Sequence, residues 1–310
     1  MGDNSVRLGQ AAMNAGTMSA LRREPAGIVV GEARVPAPAA GEVLLQVEIA
    51  GVCRTDVDVA RGAITLPRPT ILGHEFGGRV LEAEDLSPGE RVAINPILNC
   101  GTCSACTSGQ SRSCAQATML GVDRDGAFAE FVCVPRAFVY RVNQDVPARH
   151  LAYTEPLAAT LGVAQLELPD TVGITGSGRI TRLCERVLHA LDKEVVPVNQ
   201  GTAAHSMSVI IECTGMAEDL QRAITCTAPG GMVVLKSRRP QPAALNFMPA
   251  VRKELRLQGV HYGDFAMAVD WIQEQRVLID DLLGPVLPLS EWKAAFEAAE
   301  GLKVFLDPRL

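Results

Sequence analysis

The chain is predicted to be an α/β protein with two parts, a β-rich part that carries a cysteine loop and a second part built on a parallel, doubly wound sheet. Three observations predict this fold. Four cysteines cluster in one turn-rich run, short alternating strands separated by Pro/Gly turns fill the first half, and strand-like and helix-like segments alternate in the second half. The length of 310 residues suits one or two domains, each with a sizeable core.

The composition narrows the function classes. Hydrophobic residues make up 47% and charged residues 21% of the chain, which is normal for a globular protein. The net charge of −6 argues against a surface for nucleic acid or anionic membrane, and no apolar stretch reaches the roughly 18 residues of a membrane span. Nine cysteines without a secretory signal indicate a reducing compartment. We therefore expect a cytoplasmic protein that acts on a small molecule.

Four cysteines form the strongest motif, with the spacing C-x2-C-x2-C-x7-C. They are Cys100, Cys103, Cys106 and Cys114. Four thiolates this close can surround one tetrahedral zinc. Disulfides would need an oxidising compartment, and an iron–sulfur run of the bacterial ferredoxin type would close with C-x3-C-P. The spacing therefore predicts a structural zinc loop over 99–115, closed by its four ligands.

A second group of candidate metal ligands lies upstream. Cys53 follows the strand-like alternation of GEVLLQVEIAG, and His74 and Glu75 lie in LGHEFGGRV. A zinc that acts as a Lewis acid needs about three protein ligands and one open position. Taken alone, Cys53 could be a small buried hydrophobe and His74 a hydrogen-bonded core histidine. The zinc loop downstream favours the interpretation as ligands.

These motifs, in this order, resemble the zinc-dependent alcohol dehydrogenase branch of the medium-chain dehydrogenase/reductase superfamily. The matching pieces are GVCRTD, GHEFGG, PGERV, the four-cysteine loop, GVDRDGAFAEFVCVP, TEPLAA, TGSGRI, VIIECTG and APGGMVVLKS. The resemblance implies a GroES-like β-barrel catalytic domain over 18–152 and 285–310, and a truncated Rossmann-like nucleotide-binding domain over 153–284. Residues 1–17 precede the match and are expected to form a flexible tail.

The resemblance assigns Cys53 and His74 to a catalytic zinc and leaves the third ligand open between two carboxylates. Glu75 follows the histidine directly, whereas Glu155 lies in TEPLAA, where relatives place a residue near the zinc. Thr154 is expected to cap the helix that begins there and to direct its neighbour inward. The alternative is that Glu155 is only a first-turn acid favoured by the helix dipole.

Three residues next to Cys53 receive roles from the same resemblance. Thr55 is the hydroxyl that passes the alcohol proton onward, and Asp56 steadies the site from behind the ligands. Arg54 is placed to reach the pyrophosphate of the cofactor. The resemblance also implies two zinc ions per chain and a homodimer or homotetramer.

The glycine turn of the nucleotide-binding part departs from the dinucleotide fingerprint G-x-G-x-x-G. Gly176 and Gly178 are present, but the third glycine is replaced by Thr181. The acid expected to bind the ribose hydroxyls is replaced by Asn199 or its neighbour Gln200. Thr214, in VIIECTG, completes the candidate cofactor residues. We therefore expect weak cofactor binding with little preference between NAD and NADP.

The connection after this strand is unusually short. Only nine residues, Asn199 to Met207, join EVVPV to SVIIECTG, whereas a parallel crossover needs about 10–12 residues and normally contains a helix. The helix–strand unit that flanks the adenine in this family is therefore predicted to be missing.

Two enzyme hypotheses follow. The first is a zinc-dependent NAD(P) oxidoreductase acting on a secondary alcohol, a polyol or the matching ketone. The alternative is a zinc-dependent lyase, cyclase or isomerase on the same fold that no longer uses the nucleotide. A catalytically idle binding protein is a third hypothesis, which the intact Cys53–His74 pair argues against.

Overall fold

The computed structural model of the chain describes residues 16–299, 301 and 303–310. The expected tail falls mostly on residues 1–15, which lie outside the described residues. The strands, in chain order, are β1 Thr17–Glu24, β2 Gly27–Arg34, β3 Glu42–Gly51, β4 Thr70–Ile71, β5 Glu75–Glu82, β6 Arg91–Ile94, β7 Ile97–Leu98, β8 Thr118–Met119, β9 Phe131–Pro135, β10 Val139–Arg141, β11 Thr171–Thr175, β12 Glu194–Pro197, β13 Met207–Glu212, β14 Thr227–Leu235, β15 Arg256–Gly259, β16 Leu283–Pro288 and β17 Lys303–Asp307. The α-helices are α1 Arg54–Ala60, α2 Ser104–Thr107, α3 Ala148–Ala152, α4 Thr154–Thr160, α5 Arg179–Ala190, α6 Ala217–Cys226, α7 Met248–Arg252, α8 Phe265–Gln273 and α9 Trp292–Ala298.

The described chain divides into two compact units. Unit 1 contains the described residues up to Glu155 together with Ile272–Glu274 and Asp280–Leu310, and unit 2 contains Pro156–Trp271 and Gln275–Ile279. The β-rich half of the sequence is in unit 1, and the alternating half is in unit 2. The predicted class, a β-rich domain joined to a shortened parallel α/β domain, is confirmed.

Unit 1 is organised around β3. Its main sheet has the order β10-β6-β5-β3-β17-β16, and β9 also pairs with β3. The alternation in the sequence predicts one buried face, but both faces of this central strand are buried. Burial of Glu48 is compensated by two arginines, since its carboxylate oxygens lie 2.9 Å from Arg79 Nε and 2.7 Å from Arg91 Nη2. Buried charges need such partners.

Unit 2 is a parallel sheet covered by helices. Its strand order is β12-β11-β13-β14-β15, and all four pairings are parallel. The helix α5 is amphipathic, and its buried residues recur at the three- and four-residue spacing of one helix face. They include Leu183, Cys184, Val187 and Leu188. In this order β12 and β13 lie on opposite sides of β11. The link between them, 198–206, contains neither helix nor strand, so the prediction of a missing helix–strand unit agrees with the structure.

Gly78 on β5 lies where two backbones of unit 1 approach each other closely. An added Cβ would overlap the carbonyl oxygen of Gln46 and lie 3.2 Å from its carbonyl carbon. We expect Gly78→Ala to lower the free energy of unfolding by about 1–3 kcal/mol, because backbone atoms of β3 would have to move. The control is Gly31→Ala on β2, where the nearest heavy atom is 3.9 Å away. Equal urea midpoints for the two variants would contradict this packing.

Candidate functional site

The sulfur atoms of the four-cysteine loop all lie within 4.8 Å of one another. Four of their six separations are 3.9 Å for Cys100–Cys106, 3.5 Å for Cys103–Cys106, 3.8 Å for Cys103–Cys114 and 3.6 Å for Cys100–Cys114. A tetrahedral zinc with Zn–S bonds of about 2.3 Å requires S–S edges of about 3.8 Å, whereas a disulfide requires about 2.05 Å. The four thiols therefore fit a zinc ion.

The loop favours the thiolate form, which a metal needs, at one of its cysteines and opposes it at another. Hydrogen bonds from the backbone N–H groups of Thr102 and Cys103 lower the pKa of the Cys100 thiol to about 6. Desolvation and a hydrogen bond with Cys103 raise the pKa of the Cys106 thiol to about 12.

A second group of ligand atoms lies elsewhere in unit 1. The Cys53 sulfur, a ring nitrogen of His74 and a carboxylate oxygen of Glu75 all lie within 4.8 Å of one another. His74 is fully buried and Glu75 is 4% exposed. Cys53 ends the loop after β3 as the N-cap of α1, and Glu75 begins β5, where it pairs in register with Gly51.

Asp56 joins the two segments that carry these ligands. Its Oδ2 accepts the backbone N–H of Cys53 at 2.9 Å, and its Oδ1 accepts the N–H of Gly73 at 3.3 Å. The same Oδ1 lies 3.7 Å from His74 Nδ1. Gly73 has a φ of +92°, and an added Cβ would lie 2.7 Å from the Phe128 ring. The turn before His74 therefore requires glycine.

The polar groups of this cluster fit a metal better than they fit an ordinary protein interior. Neither ring nitrogen of His74 has a hydrogen-bond partner among the described residues, although the side chain is fully buried. Buried polar atoms are nearly always satisfied. One thiol, one imidazole and one carboxylate are ligand types that zinc accepts, and three protein ligands leave a position open.

Lys303 is a member of this site that the sequence analysis did not identify. Its side chain is 3% exposed, its ammonium forms an ion pair with Glu75 Oε2, and it donates to the carbonyl of Val52 at 3.1 Å. Burial lowers the pKa of Lys303 to about 8, while the charges of Cys53 and Asp56 oppose that shift. No motif signals this residue, because it reaches the site through the pairing of β17 with β3.

The other predicted site residues of unit 1 do not belong to the group of three candidate ligands. The hydroxyl of Thr55 lies 3.9 Å from the Cys53 sulfur, and Arg54 is exposed at the start of α1. Glu155 is 3% exposed on α4 but does not belong to the three-residue group around His74. The expectation that Thr154 caps this helix is wrong, because Thr154 is its first residue and its buried hydroxyl has no hydrogen-bond partner among the described residues.

In unit 2 the glycine turn brings three of the predicted residues together. Gly176 has a φ of +94°, and an added Cβ would lie 2.5 Å from Thr214 Cγ2 and 2.9 Å from Thr181 Oγ1. The replacement of the third glycine by Thr181 is accommodated as a buried side chain beside this turn. At Gly178, the N-cap of α5, an added Cβ would meet nothing within 4 Å. The turn therefore leaves open space where a phosphate could approach the helix.

Asn199 lies away from this turn, in the short link after β12. Its Oδ1 accepts the N–H of Gly201 at 2.9 Å, so the side chain stabilises the local turn. Together with Gln200 it lines an open cavity of about 530 Å³ against one side of α6, and Arg222 of that helix lines the same cavity. The sequence near Asn199 shows no arginine, so this guanidinium could be found only from the fold.

Comparison with known proteins decides the family. The alcohol dehydrogenase GroES-like domain model matches residues 39–144, and the zinc-binding dehydrogenase model matches residues 185–274. Sorbitol dehydrogenase of Halalkalibacterium halodurans is 27% identical over 320 residues, which covers 88% of this chain and 93% of that protein. The chain belongs to the zinc-dependent alcohol dehydrogenase branch of the medium-chain dehydrogenase/reductase superfamily.

Solved structures of this family agree with the assignment. A zinc-binding dehydrogenase of Sinorhizobium meliloti, bound to NADP, has a TM-score of 0.84 at 27% identity and is matched over 94% of this chain and 99% of its own. Galactitol-1-phosphate dehydrogenase of Escherichia coli has a TM-score of 0.80 at 25% identity, over 94% and 100% of the two chains. The predictions of the family and of a zinc-type alcohol or polyol oxidoreductase are confirmed. The domain boundaries and the residue roles stay predictions.

Among the described residues, no helix is both long enough and apolar enough to cross a membrane.

The two ligand groups predict two zinc ions that differ in lability. The loop ion would be closed by four thiolates, whereas the Cys53–His74 ion would keep an open position, so a chelator should remove the second ion first. Metal analysis and chelator kinetics measure this. Cys100→Ser should lower zinc content and stability, while Cys133→Ser, a half-buried cysteine outside both groups, should leave zinc content unchanged. A single zinc per chain would contradict the two-site interpretation.

Proposed function

We propose that this dehydrogenase oxidises a secondary alcohol or polyol, or reduces the matching ketone, with NAD or NADP as the hydride carrier. The observation that carries the proposal is the buried group of Cys53, His74 and Glu75, in which the imidazole lacks a hydrogen-bond partner among the described residues. The relatives support the substrate class, since they include sorbitol dehydrogenase and D-xylulose reductase.

The residues of unit 1 divide the work of the reaction. Cys53, His74 and one carboxylate would hold the zinc, which supplies Lewis-acid polarisation of the substrate oxygen when bound. Thr55, next to Cys53 and partly exposed, accepts the hydroxyl proton of the alcohol and passes it onward. The nicotinamide, when bound, would supply the hydride acceptor that a two-electron oxidation of the alcohol carbon requires. Asp56 keeps the ligand-bearing segments in register through its two backbone hydrogen bonds.

The glycine turn of unit 2 is the proposed binding site of the cofactor pyrophosphate. The N-terminus of α5 has no side-chain cap, so its first N–H groups and the helix dipole favour an anion. Gly178 leaves the space that a phosphate needs. Thr214 would form one wall, since its methyl group packs over Gly176. Asn199 and Arg54 are proposed as contacts to the ribose and pyrophosphate, and a homodimer or homotetramer is the proposed assembly.

A second function is kept because the β12–β13 link is so short. Without the helix–strand unit, the adenosine end of a dinucleotide loses one supporting wall. A zinc-dependent lyase, cyclase or isomerase would need the metal site of unit 1 and no nucleotide. Cofactor binding is therefore the property that separates the two functions.

Glu155 tests which carboxylate completes the metal site. If it exchanges with Glu75 as the third ligand, Glu155→Ala should lower zinc affinity on the order of 10–100-fold. Competition with a chromophoric chelator measures that affinity. Glu167→Ala, an exposed acid in unit 2, is the control and should change nothing. Unchanged zinc occupancy and turnover in Glu155→Ala would reduce this residue to an acid at the start of a helix.

Calorimetric titration of NAD and NADP into the zinc-loaded protein tests the cofactor. Because no acid follows β12 to repel a 2′-phosphate, we expect the two dissociation constants to lie within about tenfold of each other, or about 1.4 kcal/mol. A strong preference for NADP that Arg222→Gln abolishes would show that α6 has rebuilt the ribose pocket. If neither cofactor binds, the nucleotide-independent function replaces the dehydrogenase.

A further inference from the structure

The ammonium of Lys303 lies beside the candidate metal ligands. Its positive charge repels a divalent metal bound there and competes with that metal for carboxylate oxygens. Lys303 is 3% exposed and forms an ion pair with Glu75 Oε2. Glu75 also supplies one of the three ligand atoms that lie within 4.8 Å of one another. The same carboxylate therefore faces an ammonium and a candidate metal position.

The backbone is shaped so that this pair can form. Lys303 lies on β17, two residues before Phe305, which is in register with Gly51 of β3, and Glu75 of β5 is in register with the same glycine. A Cβ on Gly51 would lie 2.7 Å from Glu75 Oε2, 2.7 Å from Lys303 Cε and 2.9 Å from Nζ. The lysine and the glutamate thus meet above Gly51, in space that any other residue would fill.

A second buried lysine shows how a buried ammonium is hydrogen-bonded away from the candidate metal site. Lys253 in unit 2 is 7% exposed, and its ammonium donates to the backbone carbonyls of Ile224, Thr225 and Thr227. This ammonium therefore binds the carbonyl oxygens at the C-terminal end of α6, which are not candidate metal ligands. The Lys303 ammonium instead shares its carboxylate with the position where a metal would bind. A buried charge held in this way is costly unless the partner stays close.

We propose that Lys303 is a positioning residue of the metal site, whose ammonium competes with the metal for the Glu75 carboxylate and so lets this ligand give way when a substrate oxygen enters. The proposal rests on the proposed zinc site of unit 1. With the lysine present, the carboxylate is divided between ammonium and metal, and a substrate oxygen can enter. With the lysine replaced by a neutral side chain, Glu75 has only the metal as a cationic partner, so it stays bound to the metal.

The test is cobalt substitution, because the absorption bands of Co²⁺ report coordination number without any turnover. In the wild-type protein with both sites loaded, we expect bands from the closed four-thiolate site and from a second site. Lys303→Met should change only the second set and should slow chelator removal of that ion about tenfold, the size of effect that partners of metal ligands have. Lys303→Arg should restore the wild-type spectrum, since it keeps a cation opposite Glu75.

Two further variants separate positioning from folding. Lys253→Met removes another buried ammonium, outside the metal site, and should lower stability without moving the cobalt bands. In a Glu75→Gln background, Lys303→Met should no longer change the spectrum or the rate of metal loss, because the shared carboxylate is gone. If Lys303→Met fails to fold, Lys303→Gln is measured in its place.

Three results would overturn the inference. They are an unchanged second set of bands in Lys303→Met, faster loss of the second ion, or an equal effect in the Glu75→Gln background. The absence of a second cobalt site in the wild-type protein would instead refute the proposed zinc site itself, so the two failures are distinguishable.

Discussion

The buried carboxylate of Asp56 is the constraint on which the candidate metal site depends. It is 1% exposed, and it accepts one backbone N–H from the Cys53 segment and one from the Gly73 segment. Because each of its oxygens is committed, the loop after β3 and the turn before β5 cannot move independently. Cys53 and His74 lie on these two segments, so a pair of hydrogen bonds fixes the distance between a thiol and an imidazole that are far apart in the sequence. Ligand spacing then does not depend on the metal alone.

The residue types and their order predicted much of this site. The spacing of the four cysteines indicated a closed tetrahedral site, and the sulfur separations of 3.5–3.9 Å agree with it. Cys53, His74 and Glu75 were identified from two short motifs. Lys303 was not, because its role comes from β17 pairing with β3, and strand pairing between distant segments leaves no local pattern. The cap assigned to Thr154 was wrong for a related reason. A hydroxyl at a helix start can cap it only if the chain enters at the right angle, which the sequence does not specify.

Unit 2 shows what a shortened crossover retains. The turn at Gly176, the N-terminus of α5 without a side-chain cap and the parallel order of the sheet are all present, so the part that would bind a pyrophosphate is kept. The link after β12 is too short for a helix. An open cavity lies beside this link, and Arg222 is among the residues that line it. Chain length predicted the loss, because residues can be counted against the span of a crossover. The arginine could not be predicted, since it belongs to a helix that follows the next strand.

The two ligand groups predict that this chain holds one zinc in four thiolates and a second in a site with a single thiolate. X-ray absorption at the zinc edge measures the average number of sulfur ligands directly. For the protein loaded with both ions, we expect about 2.5 sulfur atoms per zinc at about 2.3 Å, with nitrogen and oxygen completing the shell. An average of about four sulfur atoms per zinc, with one ion per chain, would show that Cys53, His74 and Glu75 do not hold a metal.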